Sequence, residues 1–165
     1  MLVNYVDDLI NALQKEYEIY KELTKIADDK KQIIIDGKIK ELDKITIREQ
    51  GLAMSLVKLE NYREKVINKI MKDLNIKNID TITELITHLD QDSKNKLNTV
   101  KNQLIGIIDD IKNKNELNSQ LIDQSLKFID FNIGLLAGIE EDNKYASDGK
   151  DPKFIQRKSL FDAKA

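Results

Sequence analysis

The feature that most constrains this chain is the spacing of its apolar residues. They return every three or four positions through stretches much longer than an ordinary globular helix, with lysine, glutamate, aspartate and glutamine between them. From Leu2 to about Lys31 the series is Val6, Leu9, Leu13, Tyr17, Tyr20, Leu23 and Ala27. That spacing predicts an amphipathic helix. The run Ile33-Ile34-Ile35-Asp36-Gly37 breaks the rhythm, and a second helix is expected from near Lys38, carrying Ile39, Leu42, Ile45, Leu52, Leu56, Leu59, Val66, Ile70 and Leu74. Gly51 lies in its middle and costs about 1 kcal/mol relative to alanine, so a local irregularity is expected there.

Asn75 to Asp80 reads as a connector. Thr81-Ile82-Thr83-Glu84 then has the form of a capping box, which opens a short third helix to about Leu89. Asp90-Gln91-Asp92-Ser93 reads as a turn in which Asp92 or Ser93 caps a fourth helix. Its series begins at Leu97, Val100, Leu104, Ile107, Ile108 and Ile111, and nothing stops it before about Gly138. Helices of this length span roughly 45 to 65 Å and must lie side by side to bury their apolar faces. The expected fold is all-α: an elongated antiparallel bundle of long helices with one short helix, packed as coiled coils pack.

Residues 1–139 form the expected bundle. From Glu140 the periodicity ends, and the chain's one proline, Pro152, falls in a polar tail that is expected to be disordered. That tail still carries Tyr145, Phe154, Ile155, Leu160 and Phe161.

Composition removes most chemistry. With no cysteine and one histidine, His88, the chain has no thiolate nucleophile, no zinc cluster and no paired Glu-x-x-His motif, so neither a metal nor a cofactor is expected. Asp90 to Asn95 starts like a calcium loop, but Lys94 takes the fifth ligand position, Asn95 replaces the glycine and Lys101 stands where a bidentate glutamate belongs. The 27 basic residues nearly balance the 29 acidic ones, which argues against nucleic acid as a partner. No segment approaches the roughly 18 apolar residues of a membrane span, and Met1 to Asp8 is unlike a signal peptide. The expectation is a cytoplasmic binding protein, not an enzyme.

The most specific stretch is the end of the fourth helix. Ile122, Leu126, Ile129, Ile133 and Leu136 continue the core face, while Leu121, Phe128, Phe131, Leu135 and Ile139 widen the apolar surface beyond one seam. Either the segment is buried on several sides, as in a homodimer, or it is an exposed groove for a partner helix.

Leu59-Glu60-Asn61-Tyr62-Arg63, the segment Asn118 to Ile129, and the tail with Tyr145, Gly149 and the ending Ser159 to Ala165 resemble the FlgN-type flagellar export chaperones. By itself the Glu60/Arg63 spacing reads as a surface ion pair worth a few tenths of a kcal/mol. The resemblance implies a chaperone of hook–filament junction proteins, holding their terminal helices soluble for type III export. Leu121, Ile122, Leu126, Phe128, Ile129 and Phe131 would then line the client surface. It further implies docking on the cytoplasmic domain of the flagellar export gate, with Tyr145 as the docking residue. The competing class is a self-assembling coiled-coil adaptor.

Overall fold

A computed structural model describes residues 2–137. Among them are four helices and no strand: α1 (Leu2–Ile35), α2 (Ile39–Asp73), α3 (Ile82–Ile86) and α4 (Gln91–Ala137). Residues from 138 onward, which include Ile139 at the end of the expected fourth helix and the whole tail from Glu140 with Tyr145, lie outside the described residues.

The expected all-α bundle is what forms, with the long helix α1 packed against both α2 and α4. Val6, Leu9, Leu13, Tyr20, Leu23 and Ala27 of the first apolar series are all buried. The isoleucine run does not end α1 early; the helix continues through it to Ile35. It stops at Gly37, whose φ of 68° is a left-handed conformation that glycine enters without a Cβ clash. The amide of Gly37 donates to the carbonyl of Ile34, and that of Lys38 to Ile33, which satisfies carbonyls the ending helix would leave bare. So short a turn makes α2 antiparallel to α1. Gly51 produces no irregularity: α2 is continuous through it, because packing on α1 outweighs a propensity cost of about 1 kcal/mol.

Thr81 caps α3 as expected, accepting from the Glu84 amide at 3.2 Å. The Glu84 carboxylate returns to the amide of Asp80, one residue earlier than in the usual box, at 3.0 Å. At the start of α4 the cap is Asp90, not Asp92 or Ser93. The Ser93 amide and hydroxyl both donate to the Asp90 carboxylate, at 2.8 and 3.0 Å, and this holds its pKa below the ordinary value.

Charged residues fix how α1 and α2 meet. Lys30 Nζ donates to Glu49 Oε2 at 3.1 Å with both side chains over 90% buried, at 8% and 7% exposure. Two heptads away Arg63 Nη1 donates to Glu16 Oε2 at 2.8 Å. Arg63 also approaches Glu60 at 4.0 Å, so the surface pair expected from the sequence exists, but the closer partner is on the neighbouring helix.

Tyr20 is buried beside this group. Burial first, and then the Glu16 and Glu60 carboxylates, push its phenol up to about 12, with Arg63 opposing them. A pKa raised in the folded state stabilises fully below the unfolded value of 10.0, and that contribution is lost as pH rises through about 12. Between pH 8 and 11 the wild-type protein is therefore expected to lose more stability than Tyr20→Phe, by an amount on the order of 1 kcal/mol. Urea unfolding of both proteins at the two pH values measures this; equal losses would contradict it.

Candidate functional site

The site is set by helix length. The amide of the buried Asn118 on α4 donates to the Ala27 carbonyl on α1 at 2.9 Å, and Lys114 Nζ donates to Asp28 at 2.9 Å. Twenty residues earlier on α1, Asp7 lies within electrostatic range of Lys96 on α4, an offset of 89 against 91 for Ala27 and Asn118, so the two helices run parallel with a nearly constant offset. On that register Ile35, the last residue of α1, stands level with about residue 124 of α4. The remaining dozen or so residues of α4, roughly 20 Å at 1.5 Å per residue, outrun α1, and α2 begins only at Ile39 beside the same turn.

Within this one chain the segment is not covered. Leu126, Ile129, Ile133 and Leu136 do continue the core face of α4, yet all are exposed, because the helix they would pack on has ended. Of the six residues assigned to a client surface, Leu121 and Ile122 are half-buried beside the end of α1. Leu126, Phe128, Ile129 and Phe131 are exposed, the two phenylalanines at 65% and 63%. The six therefore lie on one helix, but the structure divides them between two faces. At 100° per residue Leu126, Ile129, Ile133 and Leu136 fall on the side facing α1 lower down, while Phe128, Phe131 and Leu135 fall on the opposite side. Lys127, paired with Asp123 at 3.9 Å, and Asp130 separate the two on one flank.

Sequence reasoning missed a second exposed apolar series. Ile39, Ile47, Met54 and Val57 on α2 are exposed, as is Ile35 at the tip of the hairpin. Ile39 belongs to the predicted α2 seam and leaves it because it lies about 100° or more around the helix from the buried Leu56 and Ile70. The signal was available: Ile47, Met54 and Val57 lie within one 80° arc with Ile39, away from Leu56 and Ile70. His88 is exposed, between α3 and α4. No helix among the described residues is long and apolar enough to cross a membrane.

Residues 1–153 match the family model described as FlgN protein. The chain belongs to the FlgN family. This is a family of flagellar chaperones, not of enzymes. Like the present chain in length is the uncharacterized protein YvyG of Bacillus subtilis (strain 168), 27% identical over 159 residues that cover 95% of this chain and 97% of that one. No solved structure matches. In FlgN terms the resemblance drawn from the short segments extends over nearly the whole chain, so the bared end of α4 belongs to the matched region and is not an appendage to it.

Proposed function

We propose that this FlgN-family protein is a cytoplasmic export chaperone that binds the terminal helices of hook–filament junction proteins and delivers them to the flagellar export gate. The observation that carries the reading is the end of α4, a helix with apolar residues on two faces and neither α1 nor α2 beside it. A helix apolar on both sides is stable in water only when something covers it. An amphipathic client helix supplies the missing layer, laying residues at i, i+3, i+4 and i+7 against Leu126, Ile129 and Ile133. Leu121 and Ile122 support the base of that surface; Phe128 and Phe131 extend it to the far side.

Tyr145, close after the client surface in sequence, is assigned to the cytoplasmic domain of the export gate. A tyrosine offers a large apolar ring and one hydroxyl while immobilising only two torsions, which suits a short docking element. Tyr145→Ala is expected to leave client affinity unchanged and to weaken gate binding about tenfold or more. Titrating client and gate domain separately, by calorimetry, checks this. Unchanged gate binding would remove Tyr145 from that role, and lost client binding would move it to the other interface. The adaptor reading instead requires the α4 end to be covered by a second copy, so a stable oligomer in the absence of client would favour it.

A further inference from the structure

The chain continues for 28 residues past the point where the described structure ends, and it leaves from the exposed end of α4 itself. We infer that its own segment Phe154 to Phe161 folds back on the core-continuation face of α4, taking the place that α1 vacates at Ile35 until a client displaces it. The inference rests on the client surface proposed above, and adds the occupant of that surface when no client is present.

Three observations select this occupant. Reach is sufficient: the 16 residues from 138 to 153 can span about 50 Å, whereas the exposed face is only about 20 Å long. Those residues include Gly149 and Pro152 in a polar context, which suits a chain reversal. The apolar pattern fits, because Phe154 and Phe161 are one heptad apart and share a side if the segment is helical, as Leu126, Ile129, Ile133 and Leu136 share theirs. Charge also matches. From Lys150 to Phe161 there are four basic residues against Asp151, whereas from Glu116 to Ala137 there are three acidic residues against Lys127. Tethering raises the local concentration of the segment to the millimolar range, so even a weak contact is populated. The segment lies past residue 153, where the family match ends, and so is not part of what that match describes.

Because the chain has no cysteine, two can be introduced cleanly, as Asp130→Cys at the edge of the face and Ser159→Cys in the segment. Energy transfer between dyes on the full-length protein, without client, is the test. A free flexible chain of this separation would place the dyes about 30 Å apart. Docking is expected to bring them well under that distance, and Phe154→Ser with Phe161→Ser to restore it. The same two serines in the otherwise unaltered protein should tighten client binding roughly three- to tenfold, since the competing occupant is gone. A separation near 30 Å that the serines do not change overturns the inference. So does transfer seen only between singly labelled copies and rising with concentration, which would make a second copy the occupant. Both readouts of distance are independent of client, so they stand or fall apart from the chaperone reading.

Discussion

Glu49→Leu is expected to destabilise the protein by about 3 to 5 kcal/mol, because it leaves the Lys30 ammonium buried with its partner removed. At the size of this chain that is a fall in melting temperature of about 10 °C or more. The double variant Lys30→Met with Glu49→Leu is expected to recover most of the loss, since two buried charges have become two packed aliphatic side chains. Urea unfolding of wild type, both single variants and the double variant closes the cycle. If Glu49→Leu alone is as stable as wild type, Lys30 reaches water and the pair does not fix the α1–α2 contact.

The second large effect is on binding. Phe128→Asp combined with Phe131→Asp is expected to lower affinity for a junction-protein terminal helix by about 100-fold or more, while stability stays within about 0.5 kcal/mol of wild type. Both rings are already exposed in the absence of client, so folding loses little when they are replaced. Leu104→Asp, on the same helix but buried in the core, is expected to unfold the protein instead. Circular dichroism and client titration of the three variants separate the halves of α4. Unfolding of the double aspartate variant would mean that its rings are covered by a second copy, and unchanged affinity would remove Phe128 and Phe131 from the client surface and confine the client to the Leu126, Ile129 and Ile133 face.

Helices and connectors were legible because amphipathic periodicity is a property of each segment alone. The capping box at Thr81 and the stop near Gly37 were readable for the same reason. What the periodicity of one helix cannot give is whether a neighbour is present at each level. Leu126 and Ile133 have the same pattern as Leu97 and Leu104, and differ only because α1 ends at Ile35. Reading that from sequence requires the offset between α1 and α4, which two side-chain contacts from Lys114 and Asn118 supply only once the chain is folded. Glu16 and Lys30 were overlooked for another reason: charged residues were assigned to the solvated face. Their positions carried a warning, since Leu9, Glu16, Leu23 and Lys30 are spaced by single heptads, as are Leu42, Glu49, Leu56, Arg63 and Ile70. Asn118 likewise extends the heptad series of Leu97, Leu104 and Ile111.

That alternation has a bearing on how the hairpin finds one alignment. A seam of leucines alone could slide by a heptad and still bury leucine against leucine. Here, in both charged pairs, the residue numbers of the two partners sum to 79, so a common shift displaces both together. Sliding α2 by one heptad either way sets Glu16 level with Leu56 or Ile70, and Lys30 level with Leu42 or Leu56, stranding two charges among aliphatic side chains. Sliding by two heptads restores a charge opposite a charge, but of the wrong sign: Glu16 meets Glu49 in one direction and Lys30 meets Arg63 in the other. Each misaligned hairpin therefore carries a penalty that the native one lacks.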